Sequence, residues 1–220
     1  MTVIAFDLDG TLSNPFKGIT ASINYALEKV NAPRKNLIDL NQYIGPPLDE
    51  IFSELLKTKD AKVINQAISY YRERYFSVGY RENVLYQDIE EMLEILATQG
   101  LKLYVATSKR TDIAESVVNY FGLQKYFIQV LGCGLKRKKH ELLEEIIKLE
   151  NNRKLLMIGD RSYDIVAGKE VGAKCVGVLW GYGSAVELKK VGADILVQNT
   201  QETLDYIETL HDGKKNTSEL

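Results

Sequence analysis

Val3-Ile4-Ala5-Phe6-Asp7-Leu8-Asp9-Gly10-Thr11-Leu12 is the stretch that decides the fold. Its first four residues are apolar without alternation, as in a strand of a parallel sheet covered on both faces. The strand ends in Asp7 and Asp9, and side chains at i and i+2 point the same way. Gly10 permits a sharp turn after them, where backbone N–H groups can face an anion. In open α/β sheets ligands bind at the carboxyl ends of the strands, which is where these carboxylates stand.

Further apolar runs at 101–106, 127–131, 155–158, 175–179 and 195–197 read as buried strands. Amphipathic helical patterns lie between most of them. One covers 88–99, with Ile89, Met92, Leu93 and Leu96 on one face; others cover 113–121, 140–149 and 162–171. This alternation predicts an α/β fold with a Rossmann-like, doubly wound parallel sheet. The segment 14–85 breaks it. No strand is evident there, and the pattern gives about four helices, among them 19–30, 48–56 after Gly45-Pro46-Pro47, and 63–76. The expected division is a core of 1–13 and 86–210, an inserted α-helical cap domain of 14–85, and a frayed polar tail of 211–220.

Composition narrows the function. The chain has 220 residues, 45% hydrophobic and 26% charged, which suits a globular protein rather than a disordered one. With a net charge of −2 it lacks the basic excess of a phosphate-neutralising nucleic-acid binder, so no nucleic acid is expected. No apolar run approaches the roughly 20 residues that span a bilayer, and the start lacks a basic, apolar signal, so no membrane is expected and a cytoplasmic location is. Cys133 and Cys175 are far apart and read as two small buried hydrophobes.

Three later strand ends add polar groups to Asp7 and Asp9. The 101–106 strand runs into Thr107-Ser108-Lys109 and the 155–158 strand into Gly159-Asp160-Arg161-Ser162-Tyr163-Asp164, while Lys136-Arg137-Lys138-Lys139 precedes a helix. One sheet edge thus collects the parts of phosphoryl transfer through a covalent intermediate. These are a nucleophilic carboxylate, a second one to move a proton, others to hold Mg²⁺, and a hydroxyl and an ammonium for the phosphoryl oxygens.

On these motifs the sequence resembles the haloacid dehalogenase superfamily of phosphohydrolases, in the phosphoglycolate-phosphatase-like branch with a helical cap after the first motif. Gly18-Ile19-Thr20, Tyr43-Ile44-Gly45-Pro46-Pro47-Leu48, Tyr71-Arg72-Glu73-Arg74-Tyr75 and Tyr182-Gly183-Ser184 also look typical of it. The resemblance implies Asp7 as nucleophile and Mg²⁺ ligand, and Asp9 as general acid/base with its backbone carbonyl on the metal. Thr107 would bind the phosphoryl group with Ser108, beside Gly10 and Thr11; Asp160 and Asp164 would complete the metal site. The usual Lys-Pro pair is absent, and counting into the helix favours Lys139 as the third-motif lysine, with Lys138 and Lys136 behind it. Asp9 also sets the chain apart from the dehalogenases of this fold, which lack that carboxylate because halide leaves without a proton.

The implied activity is Mg²⁺-dependent hydrolysis of a small phosphorylated metabolite, with a cap that opens for substrate and closes over the reaction. Phosphoglycolate is the family default; nucleoside monophosphates, sugar phosphates and pyrophosphate are alternatives. A same-fold mutase is disfavoured because 14–85 contains no His. A phosphonatase would need a cap lysine such as Lys57, Lys59 or Lys62, and a catalytically silent interaction module is the rival from another class. Tyr70, Tyr71, Tyr75, Phe76 and Tyr80 read as cap packing, Arg72 and Arg74 as surface or substrate clamp, Trp180-Gly181-Tyr182-Gly183 as a tight loop near the site's rim, and His140 as a residue with no catalytic task.

Overall fold

The computed structural model describes residues 3–134, 137–151 and 153–212. Six parallel strands form the main sheet: β1 (Val3–Phe6), β4 (Lys102–Thr107), β5 (Phe127–Gly132), β6 (Leu155–Gly159), β7 (Lys174–Val178) and β8 (Ile195–Val197). Their order is β5-β4-β1-β6-β7-β8, so the winding reverses at β1. The register sets Val3 against Lys102 on one side and Leu155 on the other. A crevice opens at the carboxyl ends of β1 and β6, because crossovers on the two sides of β1 run in opposite directions.

Both faces of the sheet are covered by α4 (Ile89–Thr98), α5 (Thr111–Tyr120), α6 (Lys139–Leu149), α7 (Ser162–Glu170), α8 (Ala185–Lys190) and α9 (Thr200–Asp212). All four residues of β1 are fully buried, which is why they carry no polar alternation. One side of the core packs Val3, Ala5, Tyr104, Leu142, Leu143, Ile146, Met157 and Ile165. The strands that the sequence predicts are all present. Helices α8 and α9 add to the prediction; Ser184 starts α8 by accepting the Glu187 N–H, the ordinary side-chain cap.

The chain divides into two compact units, one that ends at Leu12 and resumes at Leu85, and one from Ser13 to Val84. The second is a helical insertion between β1 and β4. It holds α1 (Phe16–Lys29), α2 (Leu48–Leu55) and α3 (Ala61–Ser77), with 3₁₀ turns at Ile38–Tyr43 and Gly79–Arg81 in place of a fourth helix. Two strands of two residues each, β2 (Ser13–Asn14) and β3 (Val84–Leu85), correct the reading of 14–85 as strand-free; a two-residue strand has no period to detect. Within this unit Tyr71 and Tyr75 are buried and stacked, ring centroids 5.4 Å apart. Arg74 grips Glu82 through two N–H groups and also reaches Ser22. The predicted tail begins inside α9, which runs to Asp212; the rest of it lies outside the described residues. Among the described residues no helix is long and apolar enough to cross a membrane.

Candidate active site

Asp7 follows β1 directly, and its N–H continues the ladder to the Ile158 carbonyl at 2.9 Å. Neighbouring β6 ends one residue before Asp160, so strand pairing alone sets Asp7 beside Asp160. Asp164 enters from the first turn of α7, where its Oδ2 accepts the Arg161 N–H at 2.9 Å. All three are buried, and one carboxylate oxygen from each lies within 4.8 Å of the others. A Cβ on Gly159 would run into the Asp164 side chain, and one on Gly10, whose φ is 91°, into the Asp160 carboxylate. Glycine at both places is what lets the backbone come so close.

Lys139, the first residue of α6, is buried and reaches Asp7 Oδ1 at 2.8 Å and also Asp164 Oδ1. Of the other candidate lysines, Lys138 is exposed at the helix start, with its N–H on Glu141, and Lys136 lies outside the described residues. Asp164 is pushed up to about 6, by burial first and by the charge of Asp7, against the opposing pull of Lys139. Asp160 is also raised well above its ordinary value, by burial and then by the charges of Asp164 and Asp7. Burial alone would lower Lys139, yet the two carboxylates hold it above its ordinary range. One ammonium thus pairs with two carboxylates of a cluster of three. This hard, oxygen-only donor set with an excess of negative charge fits a divalent cation such as Mg²⁺.

Asp9 stands apart from that cluster. Its Oδ2 is ion-paired with Lys109 Nζ at 2.6 Å, and its buried Oδ1 has no hydrogen-bond partner among the described residues. Burial raises its pKa and Lys109 opposes the rise. Thr107 ends β4 and is buried, with its hydroxyl oxygen accepting the Lys109 N–H at 3.3 Å; Ser108 beside it is half-buried. The Thr11 hydroxyl, expected near phosphate, donates to Asp160 Oδ1 at 3.2 Å. His140 turns to Glu170, away from these groups.

The sequence displayed Lys109 at the strand end but gave it no partner. The signal available was only its position two residues beyond Thr107, just past the end of a strand that pairs with β1. The 180–184 loop is pinned. Trp180 Nε1 donates to the Thr11 carbonyl at 3.0 Å and the Tyr182 N–H to Asp160 Oδ2 at 2.8 Å. Glu187 holds the segment that follows Asp160, accepting from the Ser162 N–H at 2.8 Å and Arg161 Nε at 3.1 Å. Cys133 and Cys175 are both free thiols.

Comparison with known proteins finds relatives that span most of the chain. The family model described as haloacid dehalogenase-like hydrolase matches residues 4–178. A 5'-nucleotidase of Pseudomonas aeruginosa is 37% identical over 191 residues, covering 84% of this chain and 86% of that protein. A phosphoglycolate phosphatase of Aquifex aeolicus is 30% identical over 195 residues, covering 83% and 86%. The crystal structure of a protein from Clostridium acetobutylicum, described as a predicted phosphatase, superposes with a TM-score of 0.88 at 34% identity, covering 94% of this chain and 98% of that one.

Proposed function

Because the chain belongs to the haloacid dehalogenase-like hydrolase family, and to its phosphatases, we propose that it hydrolyses a small phosphate monoester through a phospho-Asp7 intermediate, with Mg²⁺ as cofactor. The observation that carries this reading is Asp7 itself. It is a buried carboxylate at a strand end, flanked by Lys139 on one oxygen and by Asp160 and Asp164, with a second carboxylate two residues on.

In the first half-reaction an Asp7 oxygen attacks phosphorus and the bond to the leaving oxygen breaks. Asp9 gives that oxygen its proton, so the product leaves as an alcohol. In the second half, Asp9 takes a proton from water as the water attacks the phosphorus of phospho-Asp7. Phosphate departs and Asp7 and Asp9 return to their starting states. Lys139, the Thr107 hydroxyl and the Ser108 N–H hold the phosphoryl oxygens as charge develops on them. Asp7, Asp160 and Asp164 would hold the cation, which supplies the positive charge that two approaching anions require.

Support for the metal comes from the donor set and its unbalanced charge. Support for Asp9 as proton carrier comes from its burial and from an oxygen with no competing partner among the described residues. The test is phosphate release from a panel of phosphoglycolate, nucleoside monophosphates, sugar phosphates and pyrophosphate, with and without Mg²⁺. Metal-dependent release by the wild type, lost by at least a thousandfold in Asp7→Asn as expected of a missing nucleophile, is the predicted result. An active Asp7→Asn enzyme would remove the nucleophile from the scheme, and silence toward every ester would favour a module that binds without turnover.

A further inference from the structure

Glu187 takes no part in the chemistry proposed for Asp7 and Asp9, yet it is bound to the segment that supplies two of the three clustered carboxylates. Helix α7 begins at Ser162, between Asp160 and Asp164, so its first turn decides where Asp164 stands relative to Asp160. The first N–H groups of a helix have no partner within it and need acceptors from elsewhere. The side chain of Arg161, at the helix start, cannot supply one, because a guanidinium only donates. Two carboxylates serve instead. Asp164 accepts the Arg161 N–H at 2.9 Å, and Glu187 accepts the Ser162 N–H at 2.8 Å. Glu187 belongs to α8, 25 residues after Ser162, and the same oxygen, Oε1, also accepts from Arg161 Nε at 3.1 Å.

Helix α8 is itself held. The Ser184 hydroxyl accepts the Glu187 N–H at 3.1 Å, and Leu188 is fully buried against Gly177 of β7. The loop before α8 lies on the same segment. A Cβ on Gly183 would run into the Asp160 carbonyl, and the Tyr182 N–H donates to Asp160 Oδ2 at 2.8 Å. Asp160 is therefore fixed from the loop, and Asp164 through the first turn of α7. The side chains of Glu187 and Arg161 are partly exposed, so their ion pair adds little to stability. Its leverage is on the ligand that the helix carries, because groups behind metal ligands set their orientation.

We infer that Glu187 is a positioning residue for the cation site: it caps α7 from α8 and so keeps Asp164 within reach of Asp160 and Asp7. This rests on the proposal that these three carboxylates hold the cation.

The test measures the Mg²⁺ dissociation constant of the full chain by calorimetric titration without substrate, at a temperature where each protein is folded by circular dichroism. Glu187→Ala should weaken Mg²⁺ by about tenfold or more, the usual cost of losing a group behind a metal ligand. Its turnover of p-nitrophenyl phosphate should return toward the wild-type rate as Mg²⁺ is raised, since no reacting group has changed. Glu187→Gln keeps an oxygen where the two donors converge and drops only the charge, so it should stay within a few-fold of the wild type. Ser162→Pro removes the donor in place of the acceptor. Proline suits the first position of a helix, and Arg161 before it is already extended, with φ −119° and ψ 159°. This variant should weaken Mg²⁺ several-fold, so a Glu187→Ala chain that fails to fold does not shelter the idea. Wild-type affinity in Glu187→Ala or in Ser162→Pro overturns the inference. So does a Glu187→Gln as weak as Glu187→Ala, which would make the charge decisive in place of the position. Either result with a wild type that binds Mg²⁺ removes the inference alone, whereas a wild type that binds no Mg²⁺ removes the cation site itself, and with it the metal in the proposed function.

Discussion

Asp7 and Asp9 are two residues apart, yet they sit in different electrostatic company. Asp7 shares Lys139 with Asp164, while Asp9 has Lys109 on one oxygen and, among the described residues, no hydrogen-bond partner on the other. On the proposed mechanism these two environments would suit identical side chains to attack and to proton transfer. Asp9→Asn should slow hydrolysis of alkyl phosphates by about 10²–10⁴, the usual worth of general acid catalysis. The loss should be much smaller for p-nitrophenyl phosphate, whose leaving oxygen departs without a proton. Kinetics with a graded series of leaving groups would check this, and equal losses across the series would argue that Asp9 has another task.

At the scale of elements, the site is a set of strand ends pinned by one loop. Gly181→Ala would force a methyl against the Gly10 carbonyl and Asp160, so a loss of about 1–3 kcal/mol is expected, typical of overpacking. Thermal unfolding should show it, together with a fall in activity as Asp160 is displaced. An unchanged Tm and full activity would mean the loop gives way easily. Much of this was legible in the sequence. The six strands could be read because burial on both faces suppresses polar residues, and Asp7, Thr107 and Asp160 could be read because each ends a strand. The two-residue strands and the 3₁₀ turns could not, for they are too short to repeat a hydrophobic pattern over several periods. The partners of Lys109 and of Tyr86 were equally hidden. Lys109 and Asp9 meet through pairing of β1 with β4, and Tyr86 and Tyr182 meet across nearly a hundred positions, which no local pattern records.

The molecule as a whole concentrates uncompensated negative charge at one end of the sheet. A cation bound there should stabilise the fold independently of turnover. At a hundredfold excess over Kd the gain is about 2.7 kcal/mol, or roughly 5–10 °C in Tm for a chain of this size. Mg²⁺ titration followed by calorimetry should show that rise in the wild type and little of it in Asp160→Asn. The opposite end carries a compensated group. Glu150, 4% exposed, accepts from Tyr104 at 2.6 Å and Lys102 at 2.7 Å. Burial opposes ionisation of this carboxyl, but the two hydrogen bonds outweigh it and hold the group below its ordinary value of 4.5. Because the folded pKa is depressed, the contribution is complete above pH ~4.5 and fades as pH falls through the folded value. Glu150→Ala should cost about 1–3 kcal/mol at neutral pH by stranding the buried Tyr104 hydroxyl, and the gap to wild type should narrow in acid. Denaturant titrations at pH 7 and pH 3 would check both.

The strand order has a consequence for how the chain comes into being. β1 is made first but sits in the middle of the sheet, and Val3 has to wait for Lys102 and then for Leu155 before either of its edges is satisfied. The helices of Ser13–Val84 make their contacts close in sequence and can form while the ribosome is still at work. During that interval the four apolar residues of β1 are an unpaired edge in search of a partner. The stretch that defines the active site is therefore the strand that waits longest for its partners in a newborn molecule, and one a chaperone would have reason to hold.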